Sequence, residues 1–138
     1  MRREVAALFA AGGPLAGALP AYEPRPQQAR MAVEVMAAIE SGRHLLVEAG
    51  TGVGKSLGYL VPAILWATRA GETPPASVAT SADLDERRVV VSTHTRALQE
   101  QLARKDLPFL ERAHAGVGLD FRHALLMGSE NYLCVQRL

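Results

Sequence analysis

A glycine-rich stretch at residues 49–56, AGTGVGKS, constrains the fold of this 138-residue chain more than any other feature. The apolar residues 44–48 precede it, and apolar residues at helical spacing follow it, from Leu57 to Leu65. A buried strand, a glycine-rich turn and a helix, in that order, form the setting in which backbone amides can surround a phosphate group. The pattern therefore predicts an α/β fold with this loop at the end of a strand.

The residue types in the loop match the chemistry of a triphosphate. Glycines bring backbone N–H groups close to phosphate oxygens, and the positive end of the following helix adds to the attraction. Lys55 is predicted to reach the β- and γ-phosphates, and the Ser56 hydroxyl to join a Mg²⁺ shell, so both are candidate catalytic residues. The predicted nucleotide contacts in the loop are Gly50, Thr51, Gly52, Val53, Gly54, Lys55 and Ser56.

Hydrophobic periodicity divides the rest of the chain into alternating helices and strands. Helices are predicted over about residues 2–10, 26–41, 55–70 and 95–108, and strands over 44–48, 88–92 and 124–127. Residues 15–25 are predicted to be an irregular lead-in, and the polar residues 71–87 a surface loop. The alternation indicates a parallel sheet with right-handed crossovers.

Composition excludes several classes of protein. The single cysteine excludes an internal disulfide framework and any site built from several thiolates of this chain, and a net charge of +1 favours no particular partner. No apolar stretch approaches the roughly 20 residues of a membrane span. Arg2 and Arg3 precede an apolar run, as in a secretory signal, but Glu4 and the Gly-Gly-Pro at 12–14 argue against one. A cytoplasmic protein is expected.

Several separated segments resemble the DinG/XPD-type iron–sulfur DNA helicases of superfamily 2, and in particular the bacterial DinG and YoaA branch. The matching segments are YEPRPQQARM at 22–31, EAGTGVGKS at 48–56, STHTRALQEQL at 92–102, KDLP at 105–108 and GSENYLC at 128–134. The resemblance implies an incomplete RecA-like P-loop domain. Residues 1–21 would be an N-terminal helix and lead-in, and residues 22–138 the first part of helicase motor domain 1.

The resemblance also implies roles for residues outside the loop. Tyr22, Arg25 and Gln28 would lie on the adenine side, where the Gln28 amide can both donate and accept hydrogen bonds. The residues that would contact DNA are Thr93, Thr95 and Asn131. Cys134 would be the first of four ligands of a [4Fe–4S] cluster in a full-length parent, but one thiolate does not hold a cluster.

Two departures from the family limit the expected activity. The only Asp-Glu pair, at 85–86, follows polar residues and is interpreted as a solvated charge cluster, so the acid that would hold Mg²⁺ and orient water is not found. Met127, Gly128 and Ser129 stand where close relatives carry Lys-Gly-Arg, so two positive charges at a presumed DNA-facing turn are lost. The chain alone is expected to bind ATP and Mg²⁺ weakly and to hydrolyse ATP poorly.

The resulting hypothesis is the N-terminal part of an ATP-dependent helicase that unwinds DNA, with 5′ to 3′ polarity by family analogy, and the expected partner is single-stranded or forked DNA. A non-catalytic nucleotide- or DNA-binding module, or a truncated gene product, is the alternative. A small P-loop kinase is disfavoured because no second basic cluster follows to hold an acceptor phosphate.

Overall fold

The computed structural model describes residues 1–18, 23–69, 87–114, 121–128 and 131–132. Six α-helices and one π-helical turn occur within these ranges. They are α1 (Arg2–Leu8), α2 (Pro14–Ala18), α3 (Pro26–Ser41), α4 (Lys55–Thr68), α5 (Arg96–Gln101), the π-helical turn (Leu102–Asp106) and α6 (Leu107–His114). Among the described helices, none is both long and apolar enough to cross a bilayer.

Helix α3 confirms the predicted boundaries, and local chemistry explains both ends. Pro26 occupies the first helical position, where a missing N–H costs no hydrogen bond. Gly42 ends the helix in the left-handed conformation, with φ of 63°, and its N–H donates to the Ile39 carbonyl. The next amide, that of Arg43, donates to Ala38 at 3.0 Å. Glycine is the residue that adopts this conformation at least cost.

Helix α4 also follows the prediction, and it is the most deeply buried element of the described structure. Its buried side chains include Leu60, Val61, Ile64 and Leu65, which lie on the predicted apolar face. Pro62 lies inside the helix and is fully buried, so packing compensates for the backbone hydrogen bond that it cannot donate.

The hydrophobic core joins α1, α2, α3, α4, the π-helical turn and α6. Its fully buried side chains include Val5 from α1, Met36 from α3, Leu65 from α4 and Leu110 from α6. Burying a side chain of this size stabilises the fold by about 1.5–3 kcal/mol. The core therefore fixes α3 against α4, the two helices that flank the glycine-rich loop.

Two predictions are wrong, one for the start of the lead-in and one for Pro108. The irregular lead-in was predicted from residue 15, but residues 14–18 form the short helix α2, because Pro14 can start a helix and Leu15 is buried in the core; residues 23–25 have no regular structure, as predicted. Pro108 does not end the helix after Thr95. It lies in the first turn of α6, directly after the π-helical turn. A π-helical turn contains one extra residue, which relieves the clash between a proline ring and the carbonyl four residues before it.

The three predicted strands lie in segments without regular secondary structure, and no residue in the described ranges is assigned to a β-strand. We call residues 44–48, 88–92 and 124–127 the first, second and third apolar segments. In the first segment, exposure runs from 43% at Leu45 to 99% at Leu46 and 40% at Val47. This period of two is typical of an extended chain with one covered face. The parallel sheet itself stays a prediction.

Arg87 fixes the start of the second apolar segment to the end of α4. Its Nη1 donates to the carbonyl oxygens of Trp66 at 3.0 Å and Arg69 at 3.3 Å. The guanidinium carbon also lies 5.1 Å from the centroid of the Trp66 ring, within cation–π range. Carbonyls that the helix end leaves without helical donors thereby gain a charged one. Residues 70–86, which hold most of the predicted surface loop, lie outside the described residues.

Two leucines test whether this core holds the fold. Leu65→Ala removes a fully buried side chain and should destabilise the chain by about 2–5 kcal/mol. Leu46→Ala makes the same chemical change at a position that is 99% exposed and should alter stability by less than about 0.5 kcal/mol. Urea unfolding followed by circular dichroism measures both, and equal losses would contradict the assigned core.

Candidate functional site

The backbone of the glycine-rich loop adopts conformations that only glycine tolerates well. Gly52 and Gly54 have φ values of 80° and 78°, both in the left-handed region. Helix α4 begins at Lys55, directly after Gly54, so the first N–H groups of the helix lie at the end of the loop. A Cβ added at Gly50 or Gly52 would meet no atom within 4 Å. The loop is therefore open above these glycines and offers backbone donors beside a helix start, as an anion site requires.

Lys55 places a positive charge on the same loop. Its Nζ donates to the carbonyl oxygens of Ala49 at 3.0 Å and Gly50 at 2.7 Å. These bonds hold the ammonium group across the loop, on its solvent-exposed side. They also neutralise carbonyl dipoles that would otherwise repel an anion. The side chain thus supports the loop and supplies a cation where phosphate oxygens would lie.

Two residues of the adenine-side prediction hold the loop from α3. Gln28 is 3% exposed, and its Nε2 donates to the Gly54 carbonyl at 2.8 Å. Arg25, the residue before α3, donates from Nη1 to the Gly52 carbonyl. Each bond ends on a glycine with positive φ, so α3 fixes the loop at its two most unusual residues. The structure therefore brings Arg25 and Gln28 to the loop.

Ser56 lies in the first turn of α4, half-buried, with Tyr59 one turn further along. Burial raises the pKa of the Tyr59 hydroxyl, a side-chain hydrogen bond with Ser56 acts in the opposite direction, and the charge of Asp106 raises it further. The phenol is therefore neutral at physiological pH and lies close enough to orient the serine hydroxyl. Tyr59 and Asp106 were not predicted, although the three-residue spacing of Ser56 and Tyr59 on a helix is a readable signal.

This donor set fits a Mg²⁺–triphosphate. Backbone amides and an ammonium group suit phosphate oxygens, and a serine hydroxyl is the hard oxygen ligand that Mg²⁺ prefers. Gly52, Gly54 and Lys55 would hold the phosphates, and Ser56 would share the ion with them. When bound, the ion neutralises the charge that develops on the transferred phosphoryl group.

The predicted DNA-contacting residues form a second cluster at the start of α5. Thr95 caps the helix, because its Oγ1 accepts a hydrogen bond from the Leu98 N–H at 3.3 Å. The Thr93 hydroxyl donates to the Thr95 carbonyl at 3.4 Å. Asn131 lies beside them, and its Oδ1 accepts from Arg96 Nη2 at 2.7 Å. The structure thus places Thr93 and Thr95 in one turn, and Arg96, the next residue, links Asn131 to that turn.

Several predicted residues lie outside the described ranges. They are Tyr22, Ser129, Cys134 and the pair Asp85 and Glu86. Within the ranges that are described, no group of three or more His, Cys, Asp or Glu side chains could hold a metal ion. Arg96 and Gln99, which link α5 to the chain around Asn131, were not predicted, because no local pattern in the sequence pairs residues so far apart.

An open glycine-rich loop before a helix, a lysine across it and a serine behind it define a P-loop nucleotide-binding protein. The chain belongs to the DEAD/DEAH box helicase family, whose model matches residues 26–131. This match covers α3, the loop, α4 and the Thr95 turn, and it extends to Asn131. It implies a RecA-like fold for the chain and confirms the helicase kinship predicted from the sequence.

The curated relatives carry the names DinG and YoaA, the branch that the sequence segments resemble. The chain is 43% identical over 130 residues, or 94% of its length, to the ATP-dependent DNA helicase YoaA of Escherichia coli K12. It is 44% identical over 115 residues, or 83% of its length, to the ATP-dependent helicase DinG of Mycobacterium tuberculosis H37Rv. The 3′-5′ exonuclease DinG of Bacillus subtilis is 33% identical over 86% of the chain.

The matched region is a small part of each relative. The chain spans 17% of the E. coli protein, 15% of the M. tuberculosis protein and 11% of the B. subtilis protein. No solved structure matches the chain significantly.

Alanine at two loop glycines tests the observed loop geometry. Gly54→Ala should destabilise the ligand-free chain by about 1–3 kcal/mol, because the residue has positive φ and the new Cβ would lie 2.1 Å from Gln28 Nε2. Gly50→Ala, with open space and no positive φ, should cost less than about 1 kcal/mol. Thermal unfolding compares the two variants. A Gly54→Ala protein as stable as Gly50→Ala would show that the loop has another conformation.

Proposed function

We propose that this chain is the N-terminal part of motor domain 1 of an ATP-dependent DNA helicase. The observation that carries the proposal is the geometry of the loop: Gly52 and Gly54 in the left-handed conformation, and Lys55 held across Ala49 and Gly50 at the start of α4. The names of two relatives, an ATP-dependent DNA helicase and an ATP-dependent helicase, support the choice of reaction. Residues 22–138 would belong to the motor domain and residues 1–21 would precede it.

The nucleotide would lie with its triphosphate on the loop and its base towards the start of α3. Gly50, Thr51, Gly52, Val53 and Gly54 would supply backbone contacts, and Lys55 and Ser56 would act on the reacting phosphates and Mg²⁺. Arg25 and Gln28 both donate to loop carbonyls, so they would connect base recognition to the phosphate site. Tyr22 would offer its ring to the base.

DNA would bind at the turn that holds Thr93 and Thr95 and at Asn131, which Arg96 links to the start of α5. Hydroxyl and amide groups contact sugar–phosphate backbones without reading base sequence, as a helicase requires. A sheet would position this turn on the same domain edge as the loop, because the carboxyl ends of parallel strands share one edge. We propose that the three apolar segments are strands of that sheet. Single-stranded or forked DNA would be the substrate, and a cytoplasmic location accords with it.

ATP hydrolysis and binding of an iron–sulfur cluster would need groups other than the nucleotide- and DNA-binding residues named above. Cys134 would be the first ligand of a [4Fe–4S] cluster in a longer protein, since one cysteine does not hold four iron sites. The chain alone would bind ATP and Mg²⁺ weakly and turn over slowly, because Lys55 and Ser56 occur without a recognisable Asp-Glu pair after an apolar run.

Substitution of the two lysines of the chain tests the nucleotide site. Lys55→Ala should weaken Mg²⁺–ATP binding by about tenfold or more, because it removes the cation that crosses the loop. Lys105 is the matched control: it is exposed on the π-helical turn, and Lys105→Ala should change the dissociation constant by less than about twofold. Isothermal titration calorimetry measures both. Equal affinities in the two variants would remove the nucleotide assignment.

Two substitutions at Thr95 separate the hydroxyl from the shape of the side chain. Thr95→Val should destabilise the chain by about 1 kcal/mol through loss of the cap and weaken binding of a labelled single-stranded oligonucleotide. Thr95→Ser keeps the hydroxyl and should retain most of both properties. Fluorescence anisotropy measures the affinity for the oligonucleotide, and thermal unfolding measures the stability. Unchanged DNA affinity in Thr95→Val would contradict a role for this turn in DNA binding.

A further inference from the structure

Two side chains of α5 fasten the third apolar segment and the residues after it. Gln99 Nε2 donates to the Leu126 carbonyl at 3.0 Å, and Arg96 Nη2 donates to Asn131 Oδ1 at 2.7 Å. Arg96 and Gln99 are three residues apart, so they lie on one side of the helix. Each bond joins residues separated by 27 to 35 positions in the chain. We call Leu126, Met127, Gly128, Asn131 and Tyr132 the docked segment.

The docked segment is also closed on itself. The Asn131 backbone N–H and its Nδ2 both donate to the Gly128 carbonyl, at 2.9 and 3.1 Å. The Met127 N–H donates to the Tyr132 hydroxyl at 2.9 Å. Asn131 therefore joins the internal turn of the segment to Arg96. The side-chain amide of Asn131 thus donates one hydrogen bond, to Gly128, and accepts one, from Arg96.

Exposure makes the hydrogen bonds from Arg96 and Gln99 important for holding the docked segment on α5. Leu126 is 83% exposed and Tyr132 is 53% exposed, so burial of these two side chains contributes little, although Met127 is half-buried. The guanidinium of Arg96 is a charged donor, and such hydrogen bonds are stronger than neutral ones. Loss of the α5 contacts should free the segment while the core remains intact.

We propose that Arg96 and Gln99 are positioning residues that hold the docked segment against α5 and so align it with the Thr93–Thr95 turn in one surface for single-stranded DNA. This inference rests on the proposed function. Arg96 follows Thr95 directly, so its bond to Asn131 sets the distance between the two parts of that surface. Asn131 then contributes to DNA binding through its place in the turn.

The test combines a double-mutant cycle with matched controls in the full 138-residue chain. Arg96→Ala and Asn131→Ala should each weaken binding of a labelled oligothymidine by about fivefold, and the double variant should be no weaker than Arg96→Ala. Asn131→Ala should leave the salt dependence of binding unchanged, because it removes no charge. Gln99→Ala should also weaken binding, whereas Gln101→Ala and Arg104→Ala, on the same helical run, should not.

Amide exchange measured without DNA separates this inference from the proposed function. In Arg96→Ala, Asn131→Ala and Gln99→Ala, the Met127 and Asn131 amides should exchange about tenfold faster while core amides of α4 stay protected. Additive losses of DNA affinity, or exchange that stays unchanged, would overturn the positioning role. If the wild-type chain binds no single-stranded DNA, the proposed DNA site and the alignment both fail, while faster exchange would still support the attachment of the segment to α5.

Discussion

The hydrogen bond from Gln28 to the Gly54 carbonyl is the contact on which the arrangement of the site depends. A loop with two left-handed glycines gains nothing from regular secondary structure, so its shape must be fixed from outside. Gln28 is buried between α3 and α4 and reaches the last loop residue before the helix. The packing of α3 on α4 therefore orients the loop amides. This orientation matters because backbone amides bind an anion only when they point in one direction.

Local patterns in the sequence were sufficient where the structure is locally determined. Pro26 and Gly42 mark the ends of α3, and both act through their own backbone preferences. The apolar face of α4 was equally predictable, because helical spacing alone selects the residues that pack. Membership of the helicase family could be recognised for a similar reason, because each of the matching segments is a run of consecutive residues.

The remaining features depend on contacts between distant residues. A β-strand is defined by its backbone hydrogen bonds to a neighbouring strand. The period-two exposure around Leu46 therefore indicates an extended chain with one covered face but does not identify the neighbouring strand. Pro108 was expected to end a helix, but the π-helical turn before it accommodates the ring. The contacts of Arg96 and Gln99 with the docked segment likewise link residues that no sequence period connects. Such contacts form only when the folded chain brings these residues together.

The central claim is that the loop amides, held by α3, bind the triphosphate of a nucleotide. Its most direct test is a titration of the isotope-labelled chain with Mg²⁺–ATP and with AMP, followed by amide resonances in two-dimensional NMR spectra. We predict that the amides of Gly52, Gly54 and Lys55 shift saturably with Mg²⁺–ATP and far less with AMP, which lacks the β- and γ-phosphates. Shifts confined to other parts of the chain, or equal shifts with both nucleotides, would contradict the claim.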